Sequence, residues 1–321
     1  MKPPVDVKHA VLACLLALAM VSSADPGGSE RAATMLERMN SALRSLDYEG
    51  TLVYLFDNRL ETLHLVHHVD GGRIQERLLS LSGPVRAVTR EHGRVTCVRP
   101  DGHPISVQSR AGRNLQRAER IDPAALADRY RIAIGGAERV AGRETDMITI
   151  EPRDTLRYGY RFHLDRETGL PLKSDLIDDR GEPIEQLMFT SIATHSVSGD
   201  SGAALAATPD RATEAESKPG QPSRWRFDER PSGYEPAMHD VMRDPNGADV
   251  EHFVFTDGLS AYSVYIEADT GDGLEGVTRI GAAHAAGRRI GDHQITAVGE
   301  VPAATVEAAV EGVRLAQGHA R

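Results

Sequence analysis

The sequence is poor in cysteine and in aromatic residues, and it lacks an excess of positive charge; each of these closes a class of function. Its two cysteines are Cys14 and Cys97. Cys14 sits inside an N-terminal apolar run, so the rest of the chain holds Cys97 alone and offers no intramolecular disulfide. A lone thiol can pair only between chains, which leaves a homo-oligomer open; a buried structural cysteine is the other reading. A nucleophilic Cys97 would need a positioned histidine, and no spacing supplies one. The formal net charge is −10, which argues against nucleic acid as a partner, because non-specific binding to it relies on dense Lys and Arg. Aromatic residues make up 5% of the chain, so the places where they gather are informative. HExxH, GxSxG and P-loop motifs are absent, and so is any internal repeat.

Long apolar runs are also lacking, with one exception. Ala10 to Val21 is uninterrupted, preceded by Lys2, Lys8 and His9 and followed by Ser22-Ser23-Ala24. A membrane helix needs about 20 apolar residues to cross ~30 Å of hydrocarbon, and this run is shorter. A basic start, a short apolar stretch and small residues describe a secretory signal, with cleavage expected before Asp25. Residues 1–24 are therefore expected to be a signal peptide, and the product to be periplasmic. A retained membrane anchor is the competing reading. Lipidation at Cys14 is disfavoured, because Leu15 to Ala19 continue the apolar run beyond it.

The remaining length predicts two domains. Ser29 to Asp47 reads as a helix: Met35, Leu36, Met39, Leu43 and Leu46 recur with a 3.6 period, Glu37, Arg38, Asn40 and Arg44 fill the other face, and Ser29 is a candidate N-cap. Then the period becomes two. Thr51–Phe56, Glu61–Val69, Arg73–Ser80, Arg86–Arg90, Val95–Val98 and Ile105–Gln108 read as strands separated by short turn signals, an antiparallel meander. Asp122 and Pro123 open a helix expected to run to Tyr130. Strands resume at Glu138–Arg139, Asp146–Ile150, Tyr158–Asp165, Lys173–Asp178 and Gln186–Ile192. From Val197 to Ser223 the apolar pattern gives way to Gly, Ser, Ala, Pro, Asp and Glu, as in a linker. Strands near Glu251–Thr256, Ser260–Glu267, Gly276–Ala285 and His293–Val301 follow, then a helix over Ala303–Ala316 striped by Val306, Ala309, Val310 and Val313. The expected layout is a first domain over 25–197, a linker over 198–223 and a smaller domain over 224–321.

Several groupings invite a chemical reading. Tyr158, Tyr160, Phe162 and Leu164 occupy the even positions of one strand, with Gly159, Arg161 and His163 between them. Leu63 and Leu65 alternate with His64 and Val66 in the same way. These six apolar residues (Leu63, Leu65, Tyr158, Tyr160, Phe162 and Leu164) are either ordinary core or the lining of an acyl-chain cavity. His64 and His68 share a strand face and His67 points opposite; two such histidines bind a metal only if a neighbour adds a third ligand, and a polar strand face is the simpler reading. Gly271 to Gly276 matches GxGxxG, but Val277 to Ile280 reads as a strand where a dinucleotide site needs a helix, and Asp272 and Glu275 would repel a pyrophosphate. Arg153, Asp154 and Arg157 read as turn and ion-pair residues rather than a phosphate clamp.

Residues 135–143 (Gly-Gly-Ala-Glu-Arg-Val-Ala-Gly-Arg), Glu151-Pro152-Arg153-Asp154, Arg157-Tyr158-Gly159-Tyr160-Arg161, Leu164-Asp165 and Thr168 to Asp175 stand at a distinctive spacing. With Phe255 to Ser260, Ser263 to Glu267 and Val298 to Pro302, they resemble the RseB/MucB family, periplasmic negative regulators of the sigma-E (AlgU-type) envelope-stress pathway. The likeness covers most of the chain after the apolar run. It implies an α+β protein: an N-terminal open antiparallel half-barrel wrapped around helices, like the lipoprotein carriers, plus a smaller C-terminal α+β domain. It implies a binding protein without catalytic residues or cofactors. The implied partners are the periplasmic region of a transmembrane anti-sigma factor (RseA/MucA-like), shielded from site-one proteolysis, and the acyl chains of misplaced lipoprotein or lipopolysaccharide, which relieve that shielding. A lipid or lipoprotein carrier is the second reading; a hydrolase, the third, has no supporting constellation.

Overall fold

The computed structural model describes residues 26–71, 73–82, 87–91, 94–98, 104–105, 121–195, 218–219, 223–243 and 247–316. The expected signal segment 1–24, most of the expected linker and the part of the Ile105–Gln108 strand beyond Ile105 lie outside the described residues, as does the Cys97 side chain.

Helix α1 covers Pro26–Ser45. Its Ala32, Met35, Leu36, Met39, Ala42 and Leu43 are buried on one stripe, where each large side chain contributes roughly 1.5–3 kcal/mol. Asn40, expected on the outer face, is buried instead; its side-chain amide donates to the Ile121 carbonyl at 2.7 Å and ties α1 to the stretch before the next helix.

Strands β1 (Asp47–Phe56), β2 (Arg59–Asp70), β3 (Arg73–Ser80), β4 (Ala87–Glu91), β5 (Arg94–Val98) and β6 (Pro104–Ile105) follow as a meander. A single helical turn, α2 (Pro123–Leu126), leads into a second meander of β7 (Tyr130–Val140), β8 (Arg143–Pro152), β9 (Gly159–Asp165), β10 (Pro171–Ile177) and β11 (Pro183–His195). The two meanders merge where β1 pairs β11, giving an 11-stranded antiparallel sheet ordered β6-β5-β4-β3-β2-β1-β11-β10-β9-β8-β7. Along β1, Tyr48, Gly50, Leu52 and Tyr54 alternate inward, and Tyr48, Leu52 and Tyr54 share one core with α1. This is the expected open antiparallel half-barrel around a helix.

The smaller domain is a second sheet, ordered β12-β14-β15-β16-β19-β18-β17. Its strands are β12 (Lys218–Pro219), β14 (Glu235–Arg243), β15 (Asp249–Thr256), β16 (Ala261–Ala268), β17 (Gly276–Ile280), β18 (Ala283–Ile290) and β19 (His293–Gly299). Helix α3 (Ala303–Glu311) buries Val306, Ala309 and Val310 in the same core as Val264, Ile295 and Ala297. β13 (Trp225–Phe227) and β20 (Val313–Leu315) form a separate pair.

Several expectations need correction. α1 starts at Pro26, before Ser29, with a residue that needs no N–H partner in a first turn. Asp122 does cap α2, accepting from the amides of Ala124 and Ala125, but the helix stops at Leu126. Tyr130 already begins β7, where Ile132 and Ile134 alternate, and the register shifts between Ile134 and Ala137, at the Gly135-Gly136 pair. The strand expected over Gly276–Ala285 is a hairpin that turns at Gly281, whose φ of 62° suits glycine. The C-terminal helix ends at Glu311 with Gly312 as its cap, so Val313 leaves the helical stripe and pairs in β20. β14, with Pro236 and no clear alternation, carries no readable pattern; within the expected linker, Lys218–Pro219 pairs with it as an edge strand.

Candidate functional site

The six apolar candidates come together. Leu63, Leu65, Tyr158, Tyr160, Phe162 and Leu164 are all buried and share one cluster with Met35, Leu36, Met39 and Leu43 of α1. Tyr160 and Phe162 stack with ring centroids 5.7 Å apart. The other face of β9 is not the open polar face that alternation predicts. His163 is buried there, flanked by Met147 of β8 and Lys173 of β10, and burial holds its ring below the usual histidine pKa.

The histidine cluster divides as the strand period requires. His64 and His68 are half-buried, and His68 Nδ1 lies 3.1 Å from Asp47. His67 turns inward with Leu63 and Leu65, stacks on Tyr48 at 4.5 Å and pairs through Nδ1 with the buried Glu76 at 2.9 Å. Among the described residues no group of His, Cys, Asp and Glu is placed to hold a metal. The GxGxxG stretch bridges β16 and β17, with a strand after it rather than a helix.

What sequence reading missed is the seam between the domains. Arg157, which precedes β9, is 1% exposed. Its Nη1 donates to Asp257 at 2.8 Å, its Nε to Asp154 at 2.9 Å and its Nη2 to the Ser232 carbonyl at 2.5 Å. The guanidinium also lies 4.9 Å from the centre of the Tyr234 ring. Asp257 is equally well served: it accepts from the Tyr130 hydroxyl at 2.8 Å and from the amides of Leu259 and Ser260 at 2.9 and 2.7 Å. Burial, and then the Asp257 charge, push the Tyr130 hydroxyl pKa well up. Burial opposes the charge on Arg157, but its bonds to Asp154 and Asp257 outweigh that and raise its pKa. The Leu156 carbonyl accepts from Tyr234 and Thr305 of the smaller domain. A buried pair of charges is tolerated only when every donor and acceptor finds a partner, as these do.

A second contact lies at the β17–β18 hairpin. Ala282, fully buried at its tip, belongs to the core of the first domain, as does Leu259. The Ala282 amide donates to buried Glu185 of β11 at 3.2 Å, and the other carboxylate oxygen accepts from the Tyr54 hydroxyl at 2.5 Å. Tyr158 reaches the same hairpin, its hydroxyl 3.4 Å from His284 Nδ1. That nitrogen is also 2.8 Å from the Val301 carbonyl, which can only accept, so Nδ1 carries a proton. Burial pushes the Tyr158 hydroxyl up to about 12. At the rim, Arg279 meets Asp57 at 3.2 Å.

The smaller domain also carries an open groove of about 390 Å³ lined by Trp225, Phe227, Pro236, Met238, Phe253 and Phe255 among others. The signal for it was present in a chain with few aromatics: pairs two residues apart, at 225/227 and 253/255, place both rings on one face.

Two family models match the chain, the MucB/RseB N-terminal domain over residues 31–215 and the MucB/RseB C-terminal domain over residues 219–314. The chain is 31% identical over 314 residues to the sigma factor AlgU regulatory protein MucB of Pseudomonas aeruginosa, covering 95% of each. It is similar to a solved complex of Pseudomonas aeruginosa MucA and MucB, with a TM-score of 0.72 at 30% identity over 89% of this chain and 99% of that one. It is likewise similar to MucB crystallised in complex with MucA(peri), with a TM-score of 0.69 at 30% identity over 88% of this chain and 98% of that one.

Proposed function

The chain belongs to the MucB/RseB family, and from that premise we propose that it is a periplasmic regulator that binds the periplasmic region of a membrane-spanning anti-sigma factor and withholds it from site-one proteolysis. The observation that carries this reading is the likeness, across both domains, to a relative solved with such a partner. The seam supports it: buried bonds between Arg157, Asp257, Tyr130 and Leu156 fix the two sheets together, so both can contribute to one surface. Specific interfaces bury ~1,600 Å² in total, an area that two joined domains can offer.

We further propose that the apolar interior built by Leu63, Leu65, Tyr158, Tyr160, Phe162 and Leu164 receives acyl chains of misplaced lipoprotein or lipopolysaccharide, and that occupancy releases the anti-sigma factor. Among the described residues no backbone–backbone hydrogen bond joins α1 to the inner sheet face, so the two can part without breaking one, which is what uptake of a flexible chain requires. Transport of lipid as an end in itself is the weaker reading, because a carrier needs only the half-barrel and the second domain would be idle.

The test uses the full exported chain. The immobilised anti-sigma region should retain it at micromolar concentration, the complex should resist the site-one protease, and a dipalmitoylated peptide should undo both effects. Failure of retention at micromolar concentration sinks the regulator reading; retention that ignores the acylated peptide sinks the lipid-sensing part alone.

A further inference from the structure

The two contacts across the seam differ in kind. At one end, Arg157 and Asp257 sit in a buried network in which each charge has several aligned partners. At the other, the hairpin tip inserts the Ala282 methyl group and donates the Ala282 amide to Glu185, and the ion pair beside it, Arg279 with Asp57, is solvent-exposed and so contributes little. Its strand β17 is exposed along its whole length at the edge of the second sheet, so the tip is poorly anchored from behind. Tyr158 joins the two ends. It follows Arg157 in the chain, lies in the apolar cluster of the half-barrel, and touches His284 of the hairpin.

We propose that the β17–β18 hairpin tip is a plug on the half-barrel, displaced when an acyl chain enters, while the Arg157–Asp257 network stays closed as the pivot. This rests on the acyl-cavity reading above. A chain wedged beside Tyr158 shifts the ring toward His284, and the least costly response is withdrawal of Ala282 from Glu185. Glu185 keeps its Tyr54 partner and gains water in place of the amide, so no buried charge is stranded. Opening at the other end would strand Arg157 and Asp257 together. The second domain therefore swings about residues 257–260 rather than detaching.

Hydrogen exchange on the full exported chain tests this, with binding of a dipalmitoylated peptide followed separately by calorimetry. On saturation, amides over 281–284 should exchange at least about tenfold faster, while those of Leu259 and Ser260 keep their protection. Binding with unchanged exchange at 281–284, or with equal loss at both ends, overturns the plug and leaves the acyl reading standing. Absence of binding overturns both. A ligand-free arm uses Glu185→Ala, which should loosen 281–284 and leave 257–260 protected; loosening at both ends or at neither shows that the plug and pivot are not separate. Calorimetric unfolding of this variant reports whether the fold survives, and Glu185→Gln, which keeps an acceptor for the Ala282 amide, should restore most of the protection.

Discussion

Arg157 and Asp257 are separated by a hundred residues of chain and by 2.8 Å in the folded protein, with both side chains almost wholly out of solvent. Buried pairs of this kind stabilise weakly relative to apolar substitutes, but their disruption leaves a stranded charge. Asp257→Ala should therefore cost roughly 3–5 kcal/mol and weaken the hold between the domains. Calorimetry should show one cooperative transition in the parent chain and two in the variant. A single transition with an unshifted midpoint would show that the pair is not what joins the domains.

Gly233 has a φ of +80°, and a methyl group there would lie 2.7 Å from Arg129 Nε and 3.2 Å from Arg157 Nη2. Gly233→Ala combines backbone strain with collision against the network. It should lose more than about 1 kcal/mol, read as a lower midpoint in urea. Gly247, also at positive φ but with open space around it, is the control: Gly247→Ala carries the strain alone and should lose less.

Burial lowers the pKa of His163 and of His252 below their ordinary value of 6.5. The folded protein then binds fewer protons than the unfolded chain below that pH, so stability falls as pH drops from 6.5 toward the folded values and is unaffected by these groups above it. Around His163 stand Lys173 and Arg161, which lower its pKa further, and Glu138 and Asp175, which oppose them. Asp165 acts in a lower window. Burial would raise its pKa, but hydrogen bonds from Arg143 and Thr168 win and depress it below 3.8, so its contribution disappears only as pH falls through that depressed value. Thermal melts between pH 8 and 5 should show a declining midpoint, with the slope reduced in His163→Gln. An identical slope in that variant would remove His163 from the account.

Phe162 is 1% exposed and stacks on Tyr160. Phe162→Ala should cost about 3–5 kcal/mol through lost transfer energy and an unfilled cavity. If the interior receives acyl chains, a dipalmitoylated peptide should raise the variant's midpoint more than the parent's, because it fills the space the ring left. Equal shifts in both would place Phe162 in ordinary core.

The strand pattern was legible wherever one face is buried and the other wet. β3 falls on the residues that alternation picks out, and β1, β2, β8 and β11 extend past it at their ends, where paired strands prolong one another. The Tyr158–Leu164 stripe and the inward turn of His67 follow from a period of two alone. His163 shows the limit of that period, because alternation says which face a residue takes but not what covers the face. Asn40 and Val313 show it too: the first is buried by its bond to Ile121, the second is drawn out of a helix by pairing with Phe227.

The sequence by itself determined the two-sheet, α+β character of the chain, the apolar stripe of α1, the inward-facing aromatic residues and the family to which these motifs belong. Those properties depend on neighbours a few residues apart, whose spacing sets which side chains share a face. Only the tertiary structure decided that the domains meet at Arg157–Asp257 and again at Glu185–Ala282. Each of those contacts joins residues about a hundred positions apart, and a charged residue read in isolation looks the same whether it will be solvated or buried. Its partner, brought close by the fold, makes the difference.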